Sequence, residues 1–345
     1  MQPIYDAATP LLPGRHQPML VVDHLQSMDV DPEPCLAAIG LDVEQLLNPG
    51  CLLSPHQVLQ LLRETARRLP DAETAFMLGR QSLPGHFGAA SHALQRAGSL
   101  RGALQLLLAH PARLSPLMVP HLLVEDRVAV LYWTDVMAAP GLRRFLVEMQ
   151  MSAWTGLCNW LSGERLPWHY CFNRTQPRRR EAHEAHLGTG LRFNCQVDAM
   201  LIEPHWLDRP WTNPHGTASP ALLHALDREA RVDESRRAFL ELLYQHLLAQ
   251  VRCVPSLEGT ARAFGLSPAT FKRRLAAHGT HFQAELDQVR LHVALQLMHC
   301  RGQDNEAVGR HLGLHDAANF RRSLKRWSGL TPSGLRAALP LAGGF

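Results

Sequence analysis

The sequence predicts an α+β N-terminal domain followed by an all-α C-terminal domain, in which two helix-turn-helix units are joined by a long helix. Three observations predict it. A helix–glycine–helix pattern occurs twice near the C-terminus: Gly265 and Gly313 lie 48 positions apart, and Phe271/Phe320, Arg273/Arg322 and Leu275/Leu324 each lie 49 apart. Charge is divided unevenly, with 15 Lys+Arg against 7 Asp+Glu in residues 235–345 but 20 against 24 in residues 1–234. The longer, acidic part mixes helical apolar stripes with short alternating or continuous apolar runs, the signature of helices and strands together.

Taken in order, residues 54–69 open on Ser-Pro, a good N-cap followed by a residue suited to the first helical position. Val58, Leu61, Leu62, Ala66 and Leu69 then share one face. Residues 71–81, 89–97 and 100–110 read as further helices. Residues 111–124 and 127–133 flank Glu125-Asp126 and read as a β-hairpin. Residues 141–161 form a long helix rich in Leu, Met and Trp, and residues 168–174 and 199–203 read as strands. Residues 211–216 (Trp-Thr-Asn-Pro-His-Gly) are a loop and the best boundary. A helix at 219–231 then bridges to the basic part. Trp133, Met151, Trp154 and Cys158 are candidates to line a small-molecule cavity, although plain core packing is the favoured reading, since apolar helical stripes are usually core.

In the first helix-turn-helix copy, Leu257, Ala261 and Phe264 share a face. Gly265 suits a left-handed C-cap. Ser267 and Pro268 start the second helix, and Phe271 and Leu275 point inward. In the second copy Val308 and Leu312 lie inside, Gly313 turns the chain, Asp316 caps, and Phe320 and Leu324 lie inside. The outward positions are basic or polar: Thr270, Lys272, Arg273 and Arg274 in one copy, and Asn319, Arg321, Arg322, Lys325 and Arg326 in the other. The chain's two lysines, Lys272 and Lys325, fall here. Basic outer faces on paired helix-turn-helix units point to double-stranded DNA. Between the copies, Phe282, Leu286, Val289, Val293 and Leu297 form one stripe of a helix over 281–299. At 1.5 Å per residue it spans about 28 Å, against about 34 Å for one turn of DNA, so two successive major grooves are within reach.

Seven scattered cysteines without a C-x-x-C pair suggest a reduced, cytoplasmic protein. No apolar run approaches a membrane span, and the start lacks a signal-peptide pattern. His183 and His186 have i,i+3 spacing but no third ligand nearby; following Arg178–Arg180, the segment reads as a solvated polar stretch, and no metal or cofactor is expected. No nucleophile elbow or glycine-rich phosphate loop occurs, so no enzyme is expected.

The C-terminal part resembles the DNA-binding domain of the AraC/XylS transcription regulators. The residues that carry the likeness are the two copies above and the closing run Phe320-Arg-Arg-Ser-Leu-Lys-Arg-Trp-Ser-Gly-Leu-Thr-Pro-Ser-Gly-Leu-Arg336. Gly309, Leu314 and Leu335 depart from the family pattern. Residues 191–210 resemble the end of the "arabinose-binding" effector domain of one branch. The resemblance implies a bacterial regulator with an effector-sensing or dimerisation domain at 1–217, a bridge at 218–234 and a DNA-binding domain at 235–345, with helix-turn-helix units at 257–278 and 305–327. It places base contacts of the second unit at Ala317, Ala318, Arg321 and Arg322. Promoter DNA, RNA polymerase, a small-molecule effector and a second copy of the chain are the implied partners, with no membrane; the alternative is a domain that only dimerises and senses nothing.

Overall fold

The computed structural model describes residues 4–83, 85, 89–212, 236–314 and 316–338. The helix expected at 219–231, most of the 211–216 loop and the boundaries at 217 and 234 fall outside the described residues.

The N-terminal part begins with strand β1 (Ile4–Tyr5) and β2 (Leu12–Pro13). Helices α1 (Gln17–Ser27), α2 (Glu33–Ala37) and α3 (Val43–Leu47) follow, then β3 (Leu52–Leu53), α4 (Pro55–Arg68), α5 (Thr74–Ser82), α6 (Ala89–Gln95), α7 (Leu100–Ala109) and the single turn α8 (Pro111–Leu114). Helix α4 starts where Ser54 predicted it, through a capping box: the Gln57 amide donates to Ser54 Oγ at 3.3 Å and the Ser54 amide to Gln57 Oε1 at 3.0 Å. The hairpin is β4 (Met118–Val124) with β5 (Ala129–Asp135). Its first strand begins later than the expected 111, because Pro111 opens a helical turn instead. Then come α9 (Arg143–Ser162), β6 (His169–Phe172), α10 (Glu181–Leu187), β7 (Leu191–Phe193), β8 (Ala199–Ile202) and α11 (His205–Asp208).

Strands β4-β5-β8-β6-β7 form one sheet, antiparallel except for the β6–β7 pair. Strand residues alternate between faces. On β5, Ala129, Leu131 and Trp133 join the core beneath α9, whereas Val130 and Tyr132 join a second core. On β8, Met200 and Ile202 take the first face, and Ala199 and Leu201 the second. Both faces are therefore covered.

The second face is covered by the C-terminal part. After β9 (Arg237–Ala238), which pairs in parallel with β1, come α12 (Phe239–Ala249), α13 (Leu257–Ala263), α14 (Pro268–Ala277), α15 (Phe282–Leu295), α16 (Asn305–His311), α17 (Ala317–Ser328) and α18 (Pro332–Ala338). The expected 281–299 helix divides: α15 is α-helical, and Gln296–Cys300 continues as a wider π turn. Val130, Ala199 and Leu201 of the sheet share one buried cluster with Leu243, Tyr244, Val293 and Leu295.

Residues 181–187 are not the solvated stretch the sequence suggested. They form α10, and His183 is 1% exposed. Its Nε2 lies 3.0 Å from the Glu148 carboxylate of α9, which also receives Arg174 at 2.7 Å and Arg144 at 3.0 Å. A buried carboxylate needs such partners. Burial works to raise the Glu148 pKa, but its hydrogen bond to His183 and the two arginines outweigh this and hold it below the usual value.

Candidate nucleic-acid interface and interdomain cavity

Each helix-turn-helix is built by local signals. Gly265 and Gly313 adopt φ of +68° and +69° and end α13 and α16. Ser267 accepts the Thr270 amide at 3.2 Å, and Asp316 accepts the Asn319 amide at 2.6 Å, which start α14 and α17. Phe271, Leu275, Phe320 and Leu324 are buried, so each second helix is rotated to turn its basic residues outward.

Lys272 and Arg273 are exposed on α14, and Arg321, Arg322 and Lys325 on α17. Arg321, Arg322 and Lys325 border an open groove of about 340 Å³ with Asn305, Thr331 and Ser333. The other expected contacts are differently engaged. The Arg274 guanidinium is 4.4 Å above the Phe239 ring. Arg326 pairs with Asp287 at 2.9 Å. The Thr270 hydroxyl is 2.9 Å from Ser267 Oγ within the cap. Asn319 is half-buried beside its own N-terminal cap.

The four residues named for a small-molecule cavity are packed into the core beneath α9. Trp133, Met151, Trp154 and Cys158 are all at most 1% exposed. A cavity of about 360 Å³ lies on the opposite face of the sheet, between it and the C-terminal helices. Its floor includes Val130, Ala199 and Leu201; its roof includes Leu248 of α12 and Val293 and Leu295 of α15, and the π turn adds Gln296, His299 and Cys300. Tyr132, not its neighbour Trp133, faces this space. The Tyr132 hydroxyl is 3.1 Å from that of Tyr244, which is 2.9 Å from His292 Nδ1. His121 stacks on Tyr132 with ring centroids 4.8 Å apart and lies against Tyr244 at 4.4 Å. Burial pushes the His121 pKa down to about 3, with nearby His292 adding to it; burial does the same to His292, with Arg143 adding. Arg237 and Glu241, also on the lining, pair at 2.7 Å.

The two parts also touch at the rim. Glu125, in the hairpin turn, accepts from Gln296 at 2.7 Å and Arg301 at 3.0 Å. The Ala138 amide donates to the His278 carbonyl at 3.1 Å, at the end of α14. Sequence reasoning found the hairpin but not what its turn would meet, since Glu125-Asp126 carries no signal beyond a polar turn.

Two helix-turn-helix units with basic, exposed second helices, joined to an α+β part, define a DNA-binding regulator of transcription. Residues 30–211 match the family described as "Arabinose-binding domain of AraC transcription regulator, N-term", and residues 260–338 match a helix-turn-helix domain. The chain belongs to the AraC family of transcription regulators. It is 24% identical over 323 residues to the Ornithine utilization regulator of Pseudomonas aeruginosa, covering 92% of this chain and 94% of that one. It is 25% identical over 323 residues to an uncharacterized HTH-type transcriptional regulator of Mycobacterium tuberculosis, covering 86% and 88%. Among solved structures, the transcriptional regulator CdpR of P. aeruginosa aligns over 93% of this chain and 97% of its own at 20% identity, with a TM-score of 0.43. A DNA-binding transcriptional dual regulator of Escherichia coli aligns over 26% and 81% at 23% identity, with a TM-score of 0.25. Among the described residues no helix is long and apolar enough to cross a membrane.

Proposed function

We propose that this regulator reads promoter sequence through Lys272 and Arg273 in one major groove and Arg321 and Arg322 in the next, and that a small molecule in the interdomain cavity governs how well it does so. Lys325 then contacts phosphate. RNA polymerase is the partner at the promoter, and a second copy of the chain the expected assembly.

The observation that carries effector control is the position of the cavity. One wall is the sheet of the N-terminal part; another is α15, the helix that joins the two helix-turn-helix units. A molecule in that space touches both, so it can favour one arrangement of the recognition helices over another. It shifts the equilibrium only by as much as it binds the two arrangements differently. The relative's name attaches ornithine utilization to that protein; the lining residues bear on what this chain takes.

The test fills the cavity in the full chain. Leu201→Trp should fold, bind DNA and leave promoter output insensitive to growth conditions that alter it in the wild type. Unchanged regulation in a folded variant with a filled cavity overturns control through this site. It would favour a domain that only dimerises, which replacement of residues 1–217 by an unrelated dimerising module would reproduce.

A further inference from the structure

The chemistry of the lining narrows the occupant, and this step rests on the effector reading above. Two groups on the lining are formally charged, Arg237 and Glu241, and they form one net-neutral pair. They pair with one another at 2.7 Å; Arg237 also donates to the Leu108 carbonyl at 3.2 Å, and Glu241 also accepts from the Ala238 amide at 3.4 Å. The pair is neutral as a whole, so a charged ligand meets no net counter-charge there, and recruiting Glu241 would break the pair. Removing one partner of a desolvated pair costs several times more than an ordinary hydrogen bond contributes.

One turn along the same helix from Glu241, Tyr244 joins a neutral polar cluster on the lining. Tyr244 bridges Tyr132 and His292, using its one hydrogen for one neighbour and a lone pair for the other. The chain of bonds can run in either direction. In both, Tyr132 keeps an unused donor or acceptor, and so does Nε2 of His292; among the described residues neither has a further partner. Both residues line the cavity. Val130, Leu201, Leu248, Val293 and Leu295 give the floor and roof an apolar surface. His121, Gln245, Gln296 and His299 add further polar lining groups of uncharged type. The volume of about 360 Å³ falls at the small end of the range of about 300–1,000 Å³ typical of ligand sites. An ionised carboxylate or ammonium seated on Tyr132 and His292 would exchange water for neutral partners without gaining a net counter-charge, which is unfavourable. A hydroxyl, carbonyl or amide would find matching partners.

We infer that the cavity takes an uncharged, mainly apolar small molecule, with one hydrogen-bonding head seated on Tyr132 and His292 and its apolar body lying between the sheet and α15. Free amino acids and other charged metabolites are disfavoured. The π turn supports the same reading. It widens the helix where Gln296, His299 and Cys300 meet the cavity, and such turns recur at functional sites.

The test uses the purified full chain and two matched sets of probes at pH 7.5: octanol, octanoate and octylamine, and 2-phenylethanol, phenylacetate and 2-phenylethylamine. Thermal unfolding is followed against concentration. A neutral member of at least one set should raise the midpoint, increasingly with the logarithm of its concentration, while its charged counterparts do not. Tyr132→Phe should weaken that binding about threefold to tenfold, the effect of one neutral hydrogen bond, and Leu201→Trp should abolish it. Ala199→Leu, a smaller filling, replaces Leu201→Trp if the latter does not fold. A charged member that shifts the midpoint as much as the neutral one, with the shift lost on filling the cavity, overturns the chemical class while leaving effector control standing. No shift with either neutral member also overturns the class. A neutral probe that binds but leaves operator affinity unchanged in a gel-shift titration keeps the class and removes the effector reading.

Discussion

The Tyr132 hydroxyl of strand β5 lies 3.1 Å from the Tyr244 hydroxyl of helix α12, so sheet and DNA-binding part meet through a hydrogen bond at the edge of a cavity. Tyr244 also bonds His292 at 2.9 Å, which ties α12 to α15. Tyr244→Phe should therefore destabilise more than Tyr132→Phe. The first removes two hydrogen bonds and leaves two polar groups without partners; the second removes one. The expected costs are about 1–3 and about 0.5–1.5 kcal/mol. Urea unfolding of both variants and the double variant checks this, and strictly additive effects would show that the two hydroxyls are not coupled.

Neighbouring arginines on α14 should separate into a DNA role and a packing role. Arg273 is exposed, so Arg273→Ala should relax base preference in one half-site by about 1–3 kcal/mol of discrimination with little effect on folding. Arg274 stacks on Phe239 at 4.4 Å, so Arg274→Ala should cost about 0.5–2 kcal/mol of stability and leave sequence preference intact. Equal loss of binding to specific and random DNA in Arg273→Ala would reduce that residue to a phosphate contact.

The two turn glycines should respond unequally to alanine. Both have positive φ, where a Cβ costs about 1–2 kcal/mol. At Gly265 the added atom meets nothing within 4 Å, whereas at Gly313 it would sit 2.9 Å from the Arg252 carbonyl oxygen. Gly313→Ala should be the more damaging in thermal unfolding. Gly309, inside α16, behaves in the opposite sense. A Cβ there would stand 3.4 Å from Phe320 Cβ, a contact that fits, so Gly309→Ala should stabilise by about 0.5–1 kcal/mol.

Acid should loosen the joint between the two parts. His121 and His292 hold pKa values pushed down to about 3 from an ordinary 6.5, because burial disfavours their charged forms. Below pH 6.5 the unfolded chain takes up protons that the folded chain refuses until about pH 3. The stability they support is complete above pH 6.5 and is lost as pH falls from 6.5 towards 3. Each histidine contributes a slope of up to about 1.4 kcal/mol per pH unit. Unfolding of the wild type and of His121→Phe between pH 7.5 and 4 measures it. An identical slope in the two proteins would remove His121 from the account.

The charge division alone would make residues 235–345 an independent module, but Tyr244, Leu243, Val293 and Leu295 share their core with Val130, Ala199 and Leu201 of the sheet. The separated fragment would expose that apolar face, which charge counting does not reveal.

The sequence by itself determined the parts whose signals are local. Gly265, Ser267-Pro268, Gly313 and Asp316 punctuate the helices through turn and cap chemistry, and Phe271, Leu275, Phe320 and Leu324 fix which way the basic residues point. The capped helix after Ser54 and the hairpin around Glu125 were legible for the same reason. Only the tertiary structure decided the cavity. Strand β5 opens Ala-Val-Leu-Tyr-Trp, without an alternation of apolar and charged residues, because both faces of the sheet are covered. Alternation then sorts Tyr132 from Trp133 but cannot say which face meets a packed core and which meets the DNA-binding helices. That choice depends on α12 and α15, more than a hundred residues further along the chain, and on their burying one side of the sheet incompletely.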